Sequence, residues 1–123
     1  MCVFCDILKD KKILIHESEY LFSIYDKYPV SEGHVLIIPK RHIKDYFELN
    51  NIEKRHLDIE ISEVKKILDV AFHPDGYNIG INNGLAAGQT IFHLHIHLIP
   101  RYTGDVDDPR GGVRGVIPSK QKY

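Results

Sequence analysis

Few features of this 123-residue chain are extreme, and the missing ones narrow its class first. Formal net charge is only −1, so no basic surface of the kind that nonspecific nucleic-acid binding needs is expected. No apolar run approaches the roughly 20 residues of a membrane-spanning helix. The opening residues, Met1-Cys2-Val3-Phe4-Cys5-Asp6, have no basic region followed by an apolar stretch. No secretory signal and no membrane association are therefore expected, and the expected location is the cytoplasm. With two cysteines, reduced thiols or a metal site are expected there rather than a disulfide framework. Repeats and low-complexity segments are lacking. The length suits one domain with its own core and leaves no room for a second. With 43% apolar and 27% charged residues, the chain reads as an ordinary soluble globular protein.

What is present in excess is histidine, in one place. His93-Leu94-His95-Ile96-His97-Leu98-Ile99-Pro100 alternates histidine with large apolar residues. On a β-strand successive side chains face opposite ways, so Leu94, Ile96 and Leu98 would seal a core while His93, His95 and His97 share the other face. Neutral imidazole is a nucleophile, a general base and a metal ligand near physiological pH. Cα atoms two residues apart on a strand are separated by about 6.7 Å, which puts His93 and His97 roughly 13 Å apart. An imidazole bound to zinc holds its Cα about 6–6.5 Å from the ion. One ion therefore does not readily take all three, although it could take two neighbours, or one together with ligands from elsewhere. Catalysis or phosphate binding and a metal site both remain open on these residues alone.

The rest of the chain suggests a scaffold around that strand. Cys2-x-x-Cys5 opens it, followed by one short helical turn; the pair reads as half a zinc site, a redox pair or two unrelated thiols. Lys12–His16 and Tyr20–Tyr25 read as strands of a hairpin, turning at Glu17-Ser18-Glu19. Asp26 then lies in a turn or projects from a strand end. His34–Pro39 is a continuous apolar run typical of a buried central strand. Asn50 and Glu53 form a capping box ahead of a helix whose stripe is Leu57, Ile61, Val64, Leu68 and Ala71, with charges on the opposite face. His56 and His73 are expected to face solvent, and His73-Pro74 ends the helix. Tyr77–Asn82 alternates like a strand. The loop Asn83-Gly84-Leu85-Ala86-Ala87-Gly88-Gln89-Thr90 leads into the histidines; its small residues would let backbone N–H groups approach an anion. After Arg101 no helix or strand of any length is visible. Val113, Val116 and Ile117 suggest an arm packed on the body or on a partner subunit rather than a free tail.

The His93-x-His95-x-His97 pattern resembles the signature of the histidine triad (HIT) superfamily. The likeness extends to Gly33-His34-Val35-Leu36-Ile37-Ile38-Pro39-Lys40-Arg41-His42 and to Ala87-Gly88-Gln89-Thr90. The resemblance implies an α+β fold: a five-stranded, mainly antiparallel sheet, one long helix and a short N-terminal helix, joined across a homodimer. Residues 1–101 would form the domain and 102–123 the C-terminal arm. The implied chemistry is cleavage of purine nucleoside 5′-phosphate derivatives at the α-phosphorus. His95 would be the nucleophile, with His97 and His34 contacting phosphate or aiding the leaving group. Asn82, Gly88, Gln89 and Thr90 would hold the phosphate and leaving group, Asp26 the ribose hydroxyls, and Phe4 and Ile7 the base. Transferase and phosphorylase relatives carry glutamine where this chain has His97, which points to the small hydrolase branch, acting on diadenosine polyphosphates or adenosine phosphoramidates. A subset of the superfamily binds structural zinc through residues matching Cys2, Cys5, His42 and His93; no catalytic metal is implied. A nucleotide-binding sensor or adaptor using the same pocket is the alternative.

Overall fold

The structure is a computed structural model that describes residues 2–123, with Met1 outside them. The chain runs α1 (Val3–Asp10), β1 (His16–Glu17), β2 (Leu21–Tyr25), β3 (Val35–Pro39), α2 (Asn51–Phe72), β4 (Gly76–Ile81) and β5 (Ile96–Arg101), with short 3-10 turns between and after them. The strands form one sheet in the order β1-β2-β3-β5-β4, and every neighbouring pair is antiparallel. This is the expected α+β architecture. No helix among the described residues is long and apolar enough to cross a membrane.

The two faces of the sheet are covered unequally, and that inequality makes the site. Leu21, Val35, Ile37, Leu94, Ile96 and Leu98 join Leu57, Val64 and Leu68 of α2 in one buried cluster. On the other face Phe22, Ile24, Leu36 and Ile38 are covered by α1 through Phe4, Ile7 and Leu8. The spacing of those three side chains puts them on one side of a short helix. Cys2 caps α1, its sulfur accepting the Cys5 N–H, and Lys11 ends it in the left-handed region at φ 59°. Eight residues cover only part of the face. Its remainder carries the histidines, because His97 stands opposite Leu36 and shares that residue's side of the sheet.

The capping box forms as expected: the Asn50 side chain accepts the Glu53 N–H, and the Glu53 carboxylate accepts the Asn50 N–H. Several expectations need correction. The first hairpin strand is not Lys12–His16; the regular ladder holds only His16–Glu17, because the chain leaves α1 through Lys11 and Ile13 stays exposed. The histidine strand begins at Ile96, not His93; upstream of it the Leu94 N–H pairs instead with the Ile43 carbonyl. His56 is half-buried with its ring 4.6 Å from that of Tyr20, while His73 is exposed. Ala71 is also exposed, and Phe72 closes the end of the stripe against Gly33. Gly33 has φ +83°, and a Cβ there would lie 2.8 Å from the Phe72 ring, so the turn into β3 requires glycine on both counts. The C-terminal arm holds two short 3-10 helices, Gly112–Val116 and Pro118–Lys120.

The charges of α2 are not all on its outer face. Glu53 and Glu60 are buried. Arg41 pairs with Glu53 at 2.8 Å and holds its carboxyl below the usual carboxylate range. Glu60 accepts from Ser23 Oγ at 2.6 Å and meets His16 Nδ1 at 2.8 Å, tying the helix to β1 and β2. Such a group is tolerated in a core only while its partners satisfy it. Glu60→Ala is expected to lower stability by about 2–4 kcal/mol, since it leaves a cavity and an orphaned Ser23 hydroxyl. Glu63→Ala on the outer face should change it by less than about 0.5 kcal/mol. Urea denaturation of the two variants checks the contrast, and equal costs would refute it.

Candidate functional site

Two groups of histidines lie on the open part of the sheet face, back to back. In the first, Cys2, Cys5, His42 and His93 point one ligand atom each at a common centre, all within 4.8 Å of one another. His93 Nδ1 lies 3.2 Å from Cys2 Sγ, 3.6 Å from Cys5 Sγ and 3.1 Å from His42 Nδ1, and Cys5 Sγ lies 3.4 Å from His42 Nδ1. Zinc bonds of about 2.1 Å to nitrogen and 2.3 Å to sulfur require ligand separations of roughly 3.4–3.8 Å in a tetrahedron. The observed separations of 3.1–3.6 Å reach a few tenths of an ångström below that range, and two thiols with two imidazoles converging this closely are a donor set suited to a closed structural zinc. The far nitrogen supports this: His93 Nε2 lies 2.7 Å from the Pro39 carbonyl. A carbonyl only accepts, so Nε2 carries the proton and the Nδ1 lone pair faces the other ligands.

The second group is His34, His95 and His97, with Asp26. His95 Nδ1 lies 2.9 Å from the carbonyl of His93. The same reasoning puts its proton on Nδ1 and leaves a lone pair on Nε2. Among the described residues nothing bonds that nitrogen, and no buried side-chain nitrogen or oxygen lacks a partner. In the neutral ring, Nε2 of His95 is thus the open nitrogen that carries the lone pair. Its ring lies 5.3 Å from that of His97 and 5.1 Å from that of Phe4. His97 Nδ1 lies 2.9 Å from His34 Nε2, and Asp26 Oδ2 lies 3.5 Å from the same His34 nitrogen. Burial pushes the His34 pKa below its ordinary value, with Asp26 opposing the shift. His97 is pushed down to about 4, mainly by burial and then by its two histidine neighbours. Both are neutral at pH 7. A nucleophilic imidazole beside neutral imidazoles, at the edge of an open face, can attack an electrophilic phosphorus or acyl centre.

The other expected site residues are placed less uniformly. Asp26 uses Oδ1 to accept the Tyr28 N–H in a turn and turns Oδ2 towards His34, so it does both things its sequence position allowed. Asn82 is half-buried at the end of β4, and Thr90 and Gly88 are exposed on the loop before the histidines. Gly88 closes a single 3-10 turn there at φ +94°. Gln89 differs from the expectation of a phosphate ligand. It is 1% exposed, accepts the Gly84 N–H, and donates to the carbonyls of Lys44 and Ile91. Its amide is fully committed to shaping the loop. Phe4 is likewise in the core, as a wall between the two histidine groups, and Ile7 is half-buried beside it. Sequence reading missed the backbone groups that aim the rings: the carbonyls of Pro39 and His93, and the Val30 N–H, 3.1 Å from His34 Nδ1. Main-chain groups leave no mark in the residue pattern. Asn83, which accepts the Tyr46 N–H, and Ser31, whose hydroxyl donates to the Pro100 carbonyl at 2.6 Å, were also missed.

Comparison with known proteins supports the fold and identifies the family. The chain is 37% identical over 106 residues to adenylylsulfatase HINT3 of Arabidopsis thaliana, covering 85% of this chain and 54% of that protein. A solved structure described as a hypothetical histidine triad nucleotide-binding protein from Sulfolobus tokodaii is 39% identical. It superposes with a TM-score of 0.79 over 87% of this chain and 73% of the other. A zinc-bound histidine triad family protein from Mycobacterium smegmatis is 37% identical, with a TM-score of 0.76 over 85% and 77% of the two chains. The HIT domain pattern matches residues 8–104, from α1 to just past β5, and the chain belongs to the HIT domain family.

Proposed function

We propose that the chain is a nucleotidyl hydrolase of the small hydrolase branch, cleaving purine nucleoside 5′-phosphate derivatives at the α-phosphorus. Diadenosine polyphosphates and adenosine phosphoramidates are the substrate classes, and AMP or GMP is the product. The observation that carries this reading is the His95 ring, with Nδ1–H held by the His93 carbonyl and Nε2 open. The adenylylsulfatase name of the Arabidopsis relative and the nucleotide-binding description of the Sulfolobus protein support the substrate class.

The chemistry follows from that ring. The Nε2 lone pair forms a bond to the α-phosphorus, while the bond from phosphorus to the leaving group breaks and the leaving group keeps the electron pair. The ring becomes cationic, and its Nδ1–H, aimed at the His93 carbonyl, stabilises that charge. Water then attacks the same phosphorus, the N–P bond breaks, and its electron pair returns to Nε2 while the proton of water passes to solvent. His97 and His34 serve the phosphate and the leaving group, Asp26 the ribose, and Asn82, Gly88 and Thr90 the phosphate side. His95→Asn is expected to abolish AMP release, by 10³-fold or more on the scale of other nucleophile removals, while nucleotide binding persists. Retained turnover in that variant would remove His95 from the role.

Cys2, Cys5, His42 and His93 would hold a structural zinc, cross-linking the start of α1 to the sheet; no step of the reaction passes through it. The zinc-bound Mycobacterium relative supports this. We also propose that residues 1–101 form the domain, that 102–123 form an arm, and that the active form is a cytoplasmic homodimer. Among the described residues no strand pairs with the outer edge of β4, and beside it a groove of about 800 Å³ is lined by β4 and the arm. Val113, Val116 and Ile117 stay exposed in the single chain at 59%, 77% and 57%, and a second copy would cover them. Native mass spectrometry of freshly purified protein reads both proposals: two chains and one zinc per chain are expected. A monomer would contradict the dimer, and a dimer free of metal would contradict the zinc site.

A further inference from the structure

The loop between β2 and β3 ends in His34, and its backbone decides more than that residue's position. The Val30 N–H points at His34 Nδ1 at 3.1 Å. A backbone N–H can only donate, so the nitrogen facing it must present a lone pair. In neutral His34 the ring proton is then on Nε2. That nitrogen lies 2.9 Å from His97 Nδ1 and 3.5 Å from Asp26 Oδ2, so its proton goes to the nearer acceptor, His97. His97 Nδ1 accepts, and the His97 proton is in turn on Nε2. No described protein group accepts from His97 Nε2, and no buried polar side-chain atom is orphaned, so this N–H faces open space beside the His95 ring.

We propose that the Val30 amide is a positioning group that sets the tautomers of both His34 and His97, so that His97 offers a neutral N–H donor to the phosphoryl group attacked by His95. The proposal deepens the nucleotidyl-transfer reading and rests on it for the identity of the acceptor. It assigns His97 a different role from that of an acid fed by a proton relay. His34 stands at the end of the chain of hydrogen bonds, and the amide behind it has no proton to give up. If His34 passed its Nε2 proton to His97, it would become an imidazolate. His97 therefore stabilises negative charge on oxygen by donating a hydrogen bond without surrendering the proton. The opposite tautomer would turn a lone pair towards the phosphate and repel it. Burial, which keeps both rings neutral, fits this role.

The same amide answers a competing use of the cluster. Ligand atoms of Asp26, His34 and His97 lie within 4.8 Å of one another, a spacing that a cation could bridge. A metal on His34 Nε2 would need a lone pair there while Val30 already occupies the one on Nδ1, leaving the ring no proton. The arrangement favours a hydrogen-bonded pair over a metal.

The loop is built to hold Val30 still. Ser31 Oγ donates to the Pro100 carbonyl at the end of β5, the Tyr102 hydroxyl donates to the Glu32 carbonyl, and the Asp26 and His34 main chains close the loop at 2.8 Å. The Val30 side chain itself is 73% exposed, so its identity contributes little and its N–H is the functional part.

Two-bond ¹H–¹⁵N spectra of histidine-labelled protein at neutral pH read the tautomers directly, without substrate. Both His34 and His97 are expected as the Nε2–H form; either one as Nδ1–H in the native protein overturns the proposal. Val30→Pro removes the donor, and Val30→Ala keeps it. In the proline variant His34 should lose its tautomer preference, and kcat for AMP release should fall about ten-fold or more with KM little changed, a size typical of lost outer-sphere partners. The alanine variant should keep both tautomers. A folded proline variant with native tautomers and native kcat overturns the proposal. If the proline variant does not fold, the native spectra decide alone. If no nucleotide substrate is cleaved, the proposed function fails while the spectra still decide the tautomers.

Discussion

The hydrogen bond from His95 Nδ1–H to the carbonyl of His93 is the contact on which the site depends. Without it the imidazole could carry its proton on either nitrogen and rotate about its own axis. With it, one nitrogen is a committed donor and the other is an open lone pair. The bond spans only two residues, and it forms where the chain bends at His93 and has not yet joined the ladder, which starts at Ile96. In a regular antiparallel pair that carbonyl could be taken by the neighbouring strand. The short irregularity at the start of β5 is what frees it for a side chain.

His93 serves both groups at once. Its ring faces Cys2, Cys5 and His42, while its main-chain carbonyl orients His95. Phe4 lies edge-on to His93 and tilted against His95, so α1 packs against both. A metal in the cysteine–histidine group would hold α1 against the sheet and hold the His93 backbone with it. The helix is only eight residues long, too short to be stable by itself, and it depends on such fixing more than α2 does. The sheet and α2 supply the rigid half of this frame, through an apolar core and the buried Glu60 and Glu53 contacts.

Most of the fold was legible in the residues because the apolar pattern and the caps agree. The Asn50–Glu53 box and the run into Pro39 each point to one local structure and each formed, and the alternation through Leu98 formed a strand from Ile96 onward. The errors fall where tertiary contacts outrank pattern. Lys12–His16 alternates well, yet the exit from α1 leaves it only two paired residues. Gln89 sits in a loop that looks like a phosphate cradle, but its amide is used up inside the loop. Glu60 stands three residues after Leu57 and four before Val64, on the buried face of the helix; its charge argues for solvent, and only Ser23 and His16, far away in sequence, explain how it is satisfied there. For the site, the three histidines were visible and their proton positions were not. Those are decided by carbonyls and an amide, which every residue possesses.

The stereochemical course at phosphorus tests the central claim most directly. A substrate with a chiral α-phosphorothioate, hydrolysed in ¹⁸O-labelled water, reports how many displacements occur. Attack by His95 followed by attack by water makes two in-line displacements and predicts retention of configuration in the released nucleotide. Inversion would mean that water attacks the α-phosphorus directly, and would contradict a nucleotidyl-histidine on this ring.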